Sequence, residues 1–380
     1  MPNNYIIHDN IIDILIKLPV KSLIRFKLVC KLWRSVIEDG QFINLHHDQC
    51  KSDYKNCQNQ KICLACYGME TKQICHYSMD VPYSLQCDSV VSLLEPPTTV
   101  QCARVNVYVD SCSGLFVLSF SAYNVVLWNP AIRESRTIPS PISIHGKDQI
   151  WVRYGLGYDN SSDDYIIVRV GLIYHPDPDG HNVQIFSTKS DSWKLINEKL
   201  PVTYEIQGNI VVADHGIVYM IIKESSDNKF ILALCLKNEK FEEILFQGRR
   251  DLIMEQPNLF TVGECLCLAK FCSPIINELA NFEVWRMTKN GTLSYSWSKL
   301  FAITVPVPDD ERVMTKYHVR PVSFMKDGGM LFRRSRDELV VYDSKTQKFE
   351  QVKIAGLEVA SPFLYRGLTY VETLISPNAL

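Results

Sequence analysis

The 380-residue chain has almost no net charge: 40 Lys and Arg against 42 Asp and Glu leave a formal −2. No global basic field therefore draws it to nucleic acid or to an anionic membrane surface. Long hydrophobic runs are missing too. No window of about 18 uncharged apolar residues occurs, as a membrane-spanning helix would need. The nearest approach, Ile210 to Ile222, is interrupted by Asp214 and His215. The first apolar stretch, Ile11 to Leu18, carries Asp13, follows Asp9, and has neither a basic leader nor a small-residue cleavage site. It does not read as a signal peptide. These absences imply an intracellular chain, expected in the cytoplasm, the nucleus or both, with no nucleic-acid or membrane partner. Cysteine, by contrast, is abundant, at 13 residues. Without a secretory signal the thiols are expected to be reduced, many of them buried as small hydrophobes.

The first 45 residues differ in pattern from the rest. Asp9 is placed to cap a helix in which Ile11, Ile12, Leu15 and Ile16 recur at helical spacing, and Pro19 ends it. A second run sets Leu23, Phe26, Val29, Cys30 and Trp33 at steps of three or four. A third short piece passes through Val36 and Ile37 and ends near Gly40. From Tyr5 to Leu45, 23 of 41 residues are hydrophobic, more than three short helices can enclose. The surplus is either packed onto the chain's own second domain or meets another protein.

The pieces Leu-Pro-Val-Lys-Ser-Leu (18–23), Arg25-Phe26, Val-Cys-Lys-Leu-Trp-Arg-Ser (29–35) and Phe42 resemble the F-box of plant F-box proteins, in order and spacing. The resemblance departs at Ile7-His8, where the family has a Leu-Pro pair. It implies a helical module that binds the small acidic Skp-type adaptor and, through it, a cullin. It places Leu18, Pro19, Val20, Leu23, Phe26, Val29, Cys30 and Trp33 where motif hydrophobics pack internally or touch the adaptor. Lys17, Lys21, Arg25, Lys27, Lys31 and Arg34 give the segment a basic cast that suits an acidic partner.

After Leu45 the pattern changes. Residues 46–61 read as a polar linker. Beyond them, short alternating runs rich in Val, Ile, Tyr and Phe are separated by Gly, Pro, Asn and Asp clusters, the signature of an all-β body. One unit recurs: strand, polar turn, then a residue opening the next strand. Its anchors stand at 135, 193, 241, 297 and 349, with steps of 58, 48, 56 and 52. A period near 50 is that of kelch-like propeller blades. A fainter unit near Ile74 brings the expectation to about six blades over 62–375, following a three-helix unit at 5–45. A propeller has to close its ring, so the last segment, 362–374, is expected to share a blade with the unit near Ile74. The stretches at 111–118, 127–134, 154–165 and 370–375 resemble the plant F-box-associated domain. That family includes pollen S-locus F-box proteins, which recognise stylar ribonucleases, and members that act on defence or hormone-signalling proteins. The resemblance therefore implies a non-catalytic subunit of a Skp/cullin/F-box ubiquitin ligase, whose propeller holds a protein target.

Cys63 and Cys66 have the gap of a zinc-binding pair, with Cys50, Cys57, Cys75, His46, His47 and His76 nearby, but no second pair follows at the required spacing. Gly155 and Gly157 begin a dinucleotide fingerprint that Asn160 breaks; a turn between blades accounts for them more simply. Ser113-Gly114 lacks the first glycine of a nucleophile elbow. Asp163-Asp164 and Asp309-Asp310 read as solvated loop pairs. No metal, cofactor or catalytic residue is expected. The alternative is a propeller enzyme or sugar-binding propeller with an incidental helical head, which would show converging carboxylates at the propeller axis.

Overall fold

The computed structural model describes residues 4–55, 60–68, 74–81, 89–95, 108–119, 124–142, 151–172, 181–201, 203–213, 216–249, 255–262, 265–276, 279–290, 294–306, 320–325, 329–333, 338–343, 345–352, 354–355 and 362–380. Four helices come first: α1 (Asn4–Leu15), α2 (Val20–Phe26), α3 (Lys31–Glu38) and α4 (Gly40–Lys55). Pro19 stands at the N-cap of α2, since its fixed φ suits a helix entry. Cys30 caps α3, its Sγ accepting from the Trp33 N–H at 3.5 Å. Asp39 Oδ1 accepts from the N–H groups of Gln41 and Phe42 and so starts α4.

Three expectations for this region are corrected. The head has four helices, not three. Its first helix begins at Asn4, so Asp9 lies inside it and not at its cap. The supposed linker is helical through residue 55, because α4 continues beyond Leu45. That polar stretch is polar for a reason other than disorder: it is the second half of an amphipathic helix in which His46 and His47 are buried.

The β body starts with β1 (Lys61–Gly68) and β2 (Ile74–Asp80), a hairpin, then β3 (Ser89–Val90) and β4 (Ser92–Leu94). Five four-stranded antiparallel sheets follow, each built in chain order. The first holds β5 (Tyr108–Cys112), β6 (Leu115–Ser119), β7 (Val125–Asn129) and β8 (Glu134–Ile138). The second holds β9 (Trp151–Asp159), β10 (Asp164–Leu172), β11 (Asn182–Ser187) and β12 (Ser192–Leu195). The third holds β13 (Glu205–Ala213), β14 (Ile217–Lys223), β15 (Lys229–Cys235) and β16 (Lys240–Ile244). The fourth holds β17 (Glu255–Val262), β18 (Cys265–Ile276), β19 (Leu279–Asn290) and β20 (Ser294–Pro306). The fifth holds β21 (Arg320–Phe324), β22 (Met330–Arg333), β23 (Leu339–Asp343) and β24 (Lys348–Gln351). Finally β25 (Ile354–Ala355) pairs in parallel with β3, and β26 (Pro362–Tyr370) returns to pair with β1. The sixth sheet is thus β26-β1-β2-β4, made from both ends of the body. The last strand and the Ile74 unit do share a blade.

The repeat anchors have a common structural meaning. Ser135, Trp193, Phe241, Trp297 and Phe349 all lie in the outermost strand of a blade. The polar turn before that strand ends in a left-handed residue at Arg133, Asp191, Glu239 and Gln347. Two of the anchor tryptophans stitch neighbouring blades: Trp193 Nε1 donates to Pro139 O at 2.7 Å and Trp297 Nε1 to Leu245 O at 3.0 Å.

The six innermost strands, β26, β5, β9, β13, β17 and β21, neighbour one another around the axis. Six hydrophobic cores fill the interfaces between adjacent blades, so every blade is covered on both faces. Gly155 and Gly157 lie within β9 and not in a turn, which corrects that expectation. A Cβ at Gly157 would stand 2.2 Å from Val212 Cγ1 on β13, so glycine allows two inner strands to converge at the axis.

Candidate protein-docking site

Two faces of the head behave differently. The inner face forms a core of Leu15, Val20, Leu23, Val36, Ile37, Phe42 and Leu374. Leu374 comes from the chain's far end, and Ala131 and Ile132, in the turn between β7 and β8, pack against the same core. The head is therefore seated on the propeller. The outer face keeps Leu28, Val29 and Leu32 at 87%, 61% and 46% exposure, with Ile14 and Leu45 also exposed.

The residues between Tyr370 and the end hold the two parts together. Thr373 is fully buried, and its hydroxyl donates to Ser113 O at 2.9 Å. Asn129 Nδ2 donates to Thr373 O at 3.0 Å and to Ile375 O at 2.8 Å, while its Oδ1 accepts from Ala131 N–H. Arg136 Nη1 donates to Leu380 O at 3.0 Å. Gly114, in the left-handed region at φ 78°, leaves room for this segment: a Cβ there would lie 2.6 Å from Thr373 Oγ1. Successive residues then face opposite ways, Leu374 into the head core and Ile375 into the core between the β5–β8 and β9–β12 blades. Lys21 of α2 and Lys61 of β1 both approach Glu372, at 3.8 and 3.9 Å.

The eight head residues singled out from the sequence divide into three groups. Val20 and Leu23 are fully buried core residues and present no surface to a partner. Leu18, Phe26 and Trp33 pack partly against that core, and Phe26 meets Trp33 edge to face at 5.1 Å. Pro19, Val29 and Cys30 are exposed. Reading residues 23–33 as one helix missed Leu28 and Leu32. The chain breaks between Phe26 and Lys31, and the break resets the helical phase. Of the basic residues, Lys27 and Arg34 pair with Glu38, whereas Lys17, Arg25 and Lys31 are exposed.

The histidines of α4 are structural. His46 Nε2 lies 3.0 Å from Leu18 O and its Nδ1 3.6 Å from Cys50 Sγ. His47 is held down to about 3, chiefly by burial and then by Lys51 and His46. Cys63 and Cys66 point to opposite faces of β1. Cys63 joins the core toward the β5–β8 blade and Cys66 the core toward the β21–β24 blade, so the two thiols cannot meet one ion. Cys57 lies outside the described residues.

A concavity lies on the propeller axis, a cavity of about 310 Å³ reached by Lys51 of α4, whose Nζ stands 5.2 Å from the Tyr158 ring centre. Its polar lining includes Asp110, Asn160, Asn209, Asn258, Thr261 and Thr369. Asp110 is the one carboxylate among the described lining residues, and its Oδ2 accepts the Leu156 N–H at 2.8 Å. The converging pair that glycoside hydrolysis requires is not assembled there. Asp163 and Asp164 are not the merely solvated loop pair that the sequence suggests. Asp163 takes the Tyr158 hydroxyl and Lys189, and buried Asp164 takes Ser187, Thr188 and the Lys189 N–H. Asp309-Asp310 lies outside the described residues.

A helical head with an uncovered apolar face, seated on a six-bladed propeller, defines a two-part scaffold. Within that class, the chain belongs to the family of the F-box associated beta propeller domain, whose family model matches residues 66–377; the F-box domain model matches residues 8–44. Among curated relatives, the F-box/kelch-repeat protein At3g23880 of Arabidopsis thaliana is 29% identical, covering 97% of this chain and 94% of its own length. The F-box protein CPR1 of the same organism is 25% identical, over 91% of this chain and 84% of its own length. Among solved structures, TolB from Acinetobacter baumannii aligns with a TM-score of 0.49 and 9% identity, over 87% of this chain and 73% of its own.

Proposed function

We propose that this chain is the target-recognition subunit of a Skp/cullin/F-box ubiquitin ligase, acting in the cytoplasm or nucleus without catalysing a reaction itself. The exposed ridge of Leu28, Val29 and Leu32 carries this reading. Three large apolar side chains within five residues lie open to water on a head whose other face is already committed to the propeller. Covering them with a partner removes apolar surface from water, the main source of affinity at such anchors. The exposed Lys17, Arg25 and Lys31 favour an acidic partner such as a Skp-type adaptor. The propeller then holds a protein target near the ligase, and effective concentration drives ubiquitin transfer.

The test is co-purification of the full chain with a Skp-type adaptor. Val29→Asp with Leu32→Asp leaves the head core intact and is expected to abolish capture, since each lost anchor costs about 2 kcal/mol or more. Leu18 and Pro19 are poorer choices, because the Leu18 side chain packs against the head core and Pro19 starts α2. Undiminished capture by the double variant would remove the ridge as the adaptor site.

A further inference from the structure

Cys66 on β1 and Cys75 on β2 are direct register partners in an antiparallel pair. They share a face as well: Cys66 belongs to the core between this blade and the β21–β24 blade, and Cys75 packs against the same core. Directly opposed residues carry their Cβ atoms about 4.5–5.5 Å apart, and a disulfide needs about 3.5–4.5 Å with Cα atoms 4.4–6.8 Å apart. A small approach of two adjacent strands therefore suffices. Among the described residues, the other thiols lack this placement. Cys63 faces the opposite side of β1. Cys265 and Cys267 stand two apart on one strand, which spaces their Cα atoms by about 6.6–6.8 Å and keeps their Cβ atoms parallel instead of converging.

The geometry points to Cys66 and Cys75 as a reversible dithiol–disulfide site, oxidised by a hydroperoxide and reset by a dithiol reductant. The two cysteines divide the roles by exposure. Cys66 is buried at 2% exposure, whereas Cys75 is half-buried and reachable. Burial, with Cys75 as the second cause, pushes the Cys66 thiol up to about 12, so Cys66 does not meet the oxidant first. The Cys75 thiolate attacks the terminal peroxide oxygen, the O–O bond breaks, and a sulfenic acid forms as the alcohol or water leaves. Cys66 sulfur then attacks the Cys75 sulfur. The S–S bond forms, the S–O bond breaks, the Cys66 proton leaves with the hydroxyl as water, and the two electrons given by the thiols have reduced the peroxide. Thiol exchange with a dithiol reverses the step. In a reducing compartment such a bond is transient, as a regulatory disulfide should be. Its place matters, because β1 is the strand that β26 must pair with to close the propeller ring. A covalent staple across β1 and β2 would hold the closing blade.

The experiment treats the intact full-length protein with hydrogen peroxide, blocks remaining thiols under denaturing conditions, and maps tryptic peptides without reduction. Trypsin cleaves after Lys72, between the two cysteines, so the bond appears as a cross-linked peptide pair that dithiothreitol separates. The expected result is that pair as the main oxidised product at these positions, absent in Cys75→Ser. In Cys66→Ala, Cys75 should instead be trapped as a sulfenic acid that dimedone labels. Recovery of Cys75 in the wild type only as a singly modified or over-oxidised residue, with no Cys66–Cys75 peptide, would overturn the assignment.

Discussion

The head and the propeller dispose of their apolar residues in opposite ways. Of nine large hydrophobic side chains that stand exposed among the described residues, five (Ile14, Leu28, Val29, Leu32 and Leu45) fall in the first 45 residues. In the propeller, six inter-blade cores take up the apolar faces, because each blade has a neighbour on both sides and the ring has no end. The head has a neighbour on one side only. Its single core is completed by Leu374, a residue of the propeller's closing segment. A repeat architecture satisfies itself by stacking, whereas a few short helices rely on what they are placed against.

That dependence gives the largest expected effect. Leu374→Ala should destabilise the head by about 3 kcal/mol, as buried leucine truncations do, while leaving the inter-blade cores untouched. Amide hydrogen exchange should show α1–α4 losing protection with β5–β24 unchanged. Equal loss in both regions would mean that the head and propeller unfold as one unit, and the contrast drawn above would fail.

Acid should act on both regions through buried neutral histidines. His76, on β2, packs edge to face on Trp128 at 6.0 Å, and burial lowers it from 6.5 to about 4. The unfolded chain therefore binds a proton that the folded one resists. The stability that His76 contributes is complete above pH 6.5 and is lost as pH falls from there toward 4. Between pH 7 and pH 5 this amounts to about 2 kcal/mol. His76→Leu should flatten the pH dependence of the propeller's unfolding midpoint by that amount. His47 in α4 is lowered for the same primary reason, so in the variant the head should remain acid-sensitive while the closing blade does not. An unchanged pH profile for the propeller would refute the role given to His76.

The smallest effect concerns the blade turns. Gln347 sits at φ 56° immediately before β24, a conformation that costs a side chain more than it costs glycine. Gln347→Gly should stabilise the propeller by about 0.5 kcal/mol, seen as a slightly higher thermal midpoint, with no change in the head. A lower midpoint would show that the Gln347 side chain contributes more than its backbone strain removes.

Much of this was legible in the chain. The recurring strand–turn–strand unit located the outer strands of five blades, because hydrophobic period and turn residues are local properties that survive any packing arrangement. Ring closure followed from the need to cover a sheet edge. The F-box pieces marked the head, but not which of its residues face outward. A single helix across 23–33 would have turned Val29, Cys30 and Trp33 toward one another. The break after Phe26, and the use of Cys30 Sγ as a cap, are set by how α2 and α3 pack. Cys63 and Cys66 had metal-like spacing, and the strand period separated them.

The sequence by itself determined the two-part architecture, the blade period and the joining of the last strand to the first unit. The tertiary structure alone decided that Val20 and Leu23 are core while Leu28 and Leu32 stay outside, that Leu374 completes the head, and that Asn129 anchors the closing segment. The reason lies in sequence separation. Asn129 and Thr373 are 244 residues apart when they meet, and an asparagine at a strand end reads the same whether it faces solvent or receives a distant segment. Local patterns carry the elements, but the partner of a residue such as Asn129 is chosen only when the ring closes and brings the two ends of the chain to one face.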